Sequence, residues 1–199
     1  MKLAGPVGPE GNAEMFAKRG LLGLAMVMLL GSTAWGGIVT MTCVFPTDGS
    51  LDGSYAWDDQ TYILNLSETM GAAGIGAVGV SALTDEDPDF TINKSVNNSS
   101  SFIWDKYVIT LTNPGSATFV SDSASSTVFQ NVQMNGQTEL VFTGGEVAIG
   151  QAVAFTFVVN LPDAGTFNFG LNQQAVPEPC TMALLAGGIL ALVRRRRIR

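Results

Sequence analysis

The sequence predicts an all-β domain, a single β-sandwich of immunoglobulin-like or jelly-roll form. An N-terminal signal helix and a C-terminal short transmembrane helix flank it. Three observations carry this reading. Short β-branched and aromatic runs recur about every 8–12 residues between positions 37 and 175. Turn-forming clusters of Gly, Pro, Asn, Asp and Ser separate them. No window between the two termini keeps apolar residues at helical spacing through three turns.

The elements follow in order. Gly37–Phe45 places Ile38, Val39, Val44 and Phe45 among threonines, a β-forming composition. Pro46–Asp59 is rich in Asp, Gly and Ser and reads as a loop. Thr61–Leu66 is a strand, and Gly71–Leu83 is apolar but studded with glycine. Thr84–Asp89 is an acidic turn carrying Pro88, after which Phe90–Val96 alternates with period two. Asn97–Ser101 reads as a polar turn.

Phe102–Thr112 is the strongest core strand. Phe102 and Trp104 share one parity, while Tyr107, Ile109 and Leu111 share the other. A β-bulge near Asp105-Lys106 keeps both sets inward, because a bulge inserts one extra residue. Asn113-Pro114-Gly115 turns the chain. Ala117–Ser121, Thr127–Gln133 and Thr138–Thr143 are short strands, the last two joined by an Asn135-Gly136 hairpin. Gly144-Gly145 interrupts again. Ala152–Asn160 turns Phe155, Phe157 and Val159 to one face, and Thr166–Leu171 does so with Phe167, Phe169 and Leu171. Asn172–Ala175 reads as a short tether.

The chain ends in a different kind of segment. Val176-Pro177-Glu178-Pro179 is followed by an uncharged apolar run from Cys180 to Val193, then Arg194, Arg195, Arg196 and Arg197, with Arg199 beyond Ile198. A helix of this 14-residue run spans ~21 Å, short of the ~30 Å hydrocarbon core. The arginines favour the cytoplasmic side. At the other end, Lys18-Arg19 precede an apolar run from Leu21 to Leu30 and then Gly31, Ser32, Ala34 and Gly36, the pattern of a secretory signal peptide cleaved after Ala34 or after Gly36, the latter preferred because Ala34 and Gly36 then fill the two small-residue positions. Pro6, Pro9 and two acids make residues 1–14 an unusual leader, so Met15 is the expected start. The expected divisions are therefore 1–36, a signal peptide with upstream extension; 37–175, the β-sandwich; and 176–199, the terminal signal.

This tail resembles the PEP-CTERM sorting signal of Gram-negative bacteria, on Val176–Pro179, the apolar Met182–Val193 and the arginine stop. The resemblance implies an exosortase-type processing enzyme and the general secretion machinery as partners. It implies transient inner-membrane anchoring, then delivery to the cell surface or the exterior, in association with extracellular polysaccharide. It implies an address and a processing step, with no activity attached.

Charge narrows what the domain does. Positions 37–175 carry 14 acids against Lys94 and Lys106 alone, a net charge of −12. Such a surface repels phosphate backbones, so nucleic acid is excluded as a partner. The chain has no histidine, which removes Ser-His-Asp and Cys-His catalysis and the usual zinc and iron ligand sets. A non-enzymatic role is expected. Cys43 is the domain's one thiol and reads as a half-buried strand residue. Gly74-Ile75-Gly76-Ala77-Val78-Gly79 matches GxGxxG, but Thr84-Asp85-Glu86-Asp87-Pro88 follows too soon for a phosphate-binding helix, so an edge strand or loop is expected.

Two weaker site candidates remain. Asp85, Glu86, Asp87 and Asp89 on one turn offer oxygen ligands for a weakly bound calcium ion, although no EF-hand spacing is present. Tyr55 and Trp57 offer rings on which a sugar could stack. The sequence therefore points to an exported structural protein of the cell surface or extracellular matrix. A carbohydrate-binding module or a calcium-dependent adhesin is the alternative.

Overall fold

A computed structural model describes residues 37–48, 50–71 and 75–177. These residues are all-β, in two sheets. The strands are β1 (Ile38–Val44), β2 (Leu51–Asp58), β3 (Ile63–Met70), β4 (Ile75–Thr84), β5 (Asp89–Asn98), β6 (Trp104–Thr112), β7 (Thr118–Phe119), β8 (Ser125–Ser126), β9 (Asn131–Asn135), β10 (Glu139–Val147), β11 (Ala152–Asn160) and β12 (Gly165–Pro177). The first sheet runs β1-β4-β12-β6-β10-β9, the second β2-β3-β5-β11-β7, with β8 also paired to β11. Neighbours are antiparallel except β3 and β5, which are parallel. The signal helix and the transmembrane helix expected from the sequence fall outside the described residues.

The period-two pattern becomes the core. Along β11, Val153, Phe155, Phe157 and Val159 are buried and the residues between them are partly exposed. Phe155 stacks on Tyr107 of the first sheet at 4.7 Å and meets Phe142 edge-on at 4.8 Å. Ring pairs at these distances join the two sheets face to face, beyond what area burial alone supplies.

The bulge lies where the parity slips. On β6, Lys106 pairs with Val176 and Thr143, while Trp104 pairs with Pro177 and Val147, so Asp105 is passed over on both sides. Trp104, Tyr107, Ile109 and Leu111 are accordingly all buried. Across the sheet, Gly144 of β10 takes φ +77°, a left-handed conformation glycine adopts without steric penalty. The double glycine thus bends β10 without ending it.

Two expectations are corrected and one is narrowed. Pro46–Asp59 is not all loop, because Leu51–Asp58 pairs along its length with β3. It is an edge strand with most residues exposed, so its polar composition costs little there. A Cβ on Gly53 would sit 2.5 Å from the Phe45 ring and 2.7 Å from the Ser67 carbonyl oxygen, a close approach that only glycine permits. Gly76–Gly79 are strand and not loop: Gly79 pairs with both Val44 and Gly170, while Gly76–Val78 pair with β12 alone, so only this end of β4 keeps an edge. Asn172–Ala175 is not a tether: these residues continue β12 between β4 and β6, and Gln173 and Ala175 are buried.

Candidate functional site

The acidic turn joins β4 to β5. The Gly37 amide donates to an Asp85 carboxylate oxygen, and the Asp85 amide returns a bond to the Gly37 carbonyl at 3.1 Å. Asn160 Nδ2 at the end of β11 donates to Asp87 at 2.8 Å and to Asp89 at 3.0 Å. Glu86 is exposed. These acids are divided between two partners as hydrogen-bond acceptors. Among the described residues, no group of three or more acidic or cysteine side chains is placed to hold a metal ion.

Tyr55 and Trp57 lie on the edge strand β2. Tyr55 is 40% exposed. Trp57 is half-buried, stacked near Tyr62 and edge-on to Phe90, with centroids 6.2 Å apart in both pairs. Its ring faces are thus already partly occupied by the protein.

On the outer face of the first sheet, β1, β4, β12 and β6 form a shallow groove of about 360 Å³. Gly79 and Gly170 leave its floor low, and Thr42, Ser81, Thr112, Asn168 and Asn172 contribute uncharged hydroxyl and amide groups. Ser81 donates to Asn168, and Thr112 donates to Asn172 at 3.4 Å.

A fourth group lies inside the domain. Leu66 of β3 is opposite Lys94 of β5, which places Glu68 and Lys94 diagonally on the same inward face. Both are buried and form an ion pair through Glu68 Oε2. From the other sheet, Gln173 Nε2 donates to that same oxygen at 2.7 Å. The Tyr107 hydroxyl donates to Gln173 Oε1. Lys94 Nζ makes no further hydrogen bond among the described residues, and neither does Glu68 Oε1. Burial pulls the Lys94 ammonium below its ordinary value, opposed by the Glu68 charge. The signal for this group was a polar residue on an apolar parity: Lys94 among Phe90, Ile92 and Val96, and Glu68 among Leu64, Leu66 and Met70.

The neighbourhood sets a pH dependence. Burial, and secondarily the Glu68 charge, push the Cys43 thiol from 9.0 up to about 12. The same two causes, in the same order, hold the Tyr107 hydroxyl well above 10.0. The folded state therefore favours both neutral forms. Their contribution is fully present below the unfolded values and is lost as pH rises through the folded ones. The midpoint of urea unfolding should fall steadily between about pH 9 and about pH 12, and Cys43→Ala should flatten the first part of the decline. A midpoint constant over that range would refute the assignment.

At its C-terminal end β12 reaches the terminal segment. Val176 pairs with Lys106 and Pro177 with Trp104, so the strand runs unbroken into the residues that precede the apolar run. A family model described as the PEP-CTERM protein-sorting motif matches residues 175–197. The chain carries a PEP-CTERM sorting motif. No curated protein matches the chain. The motif implies exosortase-dependent sorting of an exported protein and suggests an envelope-associated destination. Of the motif residues expected from the sequence, Val176 and Pro177 are strand residues. Glu178, Pro179 and Arg194–Arg197 lie outside the described residues. The PEP-CTERM motif thus begins on the folded domain itself.

Proposed function

We propose that this protein is a structural component of the cell surface or the extracellular polysaccharide matrix, exported, anchored briefly in the inner membrane and released from it by an exosortase. The observation that carries the reading is the direct continuation of β12 into the sorting motif. No tether separates the folded domain from the first residues of the motif, Val176 and Pro177, which are themselves strand residues. From β4 to β7 each strand lies in the sheet opposite its predecessor, and β11 and β12 repeat the alternation. We read this winding as a jelly roll, since an immunoglobulin-like domain pairs its first two strands within one sheet.

The test is extraction of the matrix from producing cells. The processed domain should stay with the insoluble matrix through a high-salt wash, and deleting the gene should lower the matrix yield. Recovery solely as a free soluble protein would overturn the structural role. A second reading, a carbohydrate-binding module, is favoured by the outer groove. Its volume falls within the usual range of ligand sites, and its hydroxyl and amide lining suits a neutral polymer.

A further inference from the structure

The buried group between the sheets has the parts of an acyl-transfer site. An amine, a proton carrier, an amide and a hydroxyl donor lie in sequence: Lys94, Glu68, Gln173 and Tyr107. We propose that these residues form a self-crosslinking site, in which Lys94 Nζ and Gln173 Cδ join as an intramolecular amide that ties β5 of the second sheet to β12 of the first.

Each side chain has a place in the step. The ammonium of Lys94 passes a proton to Glu68 Oε2, which it already touches. Both charges are removed from a core where burial disfavours them, and the amine gains a free lone pair. That lone pair attacks Cδ of Gln173. The carbonyl oxygen Oε1 takes up the displaced electron pair, and the Tyr107 hydroxyl, aimed at it, stabilises the developing charge as an oxyanion-hole donor does. Burial keeps that hydroxyl protonated. Glu68 Oε2 also accepts the hydrogen bond from Gln173 Nε2, so one oxygen serves both the entering and the leaving nitrogen. It delivers a proton to Nε2, the Cδ–Nε2 bond breaks, and ammonia leaves as the Cδ–Nζ bond remains.

The balance closes without a co-reactant. Lys94 loses two protons, one departing in ammonia and one staying on the Glu68 carboxyl. Nothing is oxidised or reduced. The ion pair is replaced by a neutral amide and a neutral acid. The alternative acyl group, the Glu68 carboxyl itself, has no donor on its free oxygen among the described residues. Gln173 has the Tyr107 hydroxyl.

The crosslink is read directly by mass. The full chain is produced with export, and the processed domain is denatured, digested with a protease of broad specificity and sequenced by tandem mass spectrometry. The expected product is a branched peptide containing Lys94 and Gln173, lighter by one ammonia than its two arms. Lys94→Met and Glu68→Gln should each abolish it, and Tyr107→Phe should slow its appearance. On a denaturing gel the parent, closed between positions 94 and 173, should migrate faster than Lys94→Met. Recovery of both arms from the parent only as unlinked peptides would overturn the proposal, whether or not the variants fold. A branch between Lys94 and Glu68 with loss of water would overturn it as well.

Discussion

Replacing Pro177→Ala, Glu178→Gln and Pro179→Ala together is expected to leave the full-length chain in the inner membrane while the parent is released from it. The two prolines lack amide hydrogens and bias Val176 and Glu178 towards extended backbone. Extended backbone is what a protease needs in its cleft. Val176 already has that form at the end of β12. Under the proposed anchoring Glu178 would stay in the outer aqueous layer, because a carboxylate in the hydrocarbon core costs several kcal/mol. The apolar run behind it is short for a bilayer, which suits a substrate awaiting release better than a permanent anchor. Membrane fractionation with intact mass reads the outcome. The parent should lack Arg194–Arg199 and the variant should retain them. Equal release of both would show that the motif is a passive spacer.

The second large effect concerns Lys94 and Glu68. Removing one partner of a buried ion pair leaves the other charge unpaired in the core, at a cost of about 3–5 kcal/mol. Lys94→Met and Glu68→Leu, each alone, should fall below the double variant by up to roughly that amount, read as the free energy of urea unfolding. The double variant should be more stable than either single one, because no unpaired charge remains and the apolar chains pack against Phe155 and Leu66. None of the three variants can form the amide, so the comparison among them isolates the ion pair. A double variant no more stable than the singles would show that the charges are solvated in the folded protein.

Much of this architecture was legible in the residues, and the exceptions have causes. β11 was read to the residue because its inward positions are all apolar and its outward ones mostly polar or small. The β6 bulge was readable because buried residues of opposite parity on one strand, Trp104 and Tyr107, need an extra residue between them. β2 was hidden by composition, since an edge strand with most residues exposed keeps Asp, Gly and Ser without penalty. The end of β12 was hidden because Gln173 interrupts the apolar series Phe169, Leu171 and Ala175. The same polar interruptions concealed the inner site. Gln173, Lys94 and Glu68 come from three strands, and their convergence depends on a parallel pairing of β3 with β5 that periodicity does not encode. The sorting motif was legible in full, because its information lies in local order and position at the terminus.

The position of β12 also fixes an order of assembly. Among the described strands it is the last to be synthesised, and it lies in the middle of its sheet between β4 and β6. Until Gly165–Gln174 meets Ile75–Thr84, β1 and β4 form one fragment of that sheet, while β6, β9 and β10 form another. Closing them requires contacts across about half the chain, which are slow to find. The segment that seats last is the one continuous with the terminal signal. The domain therefore becomes whole only as its own C-terminus arrives, and completion of the fold and presentation of the signal are a single event.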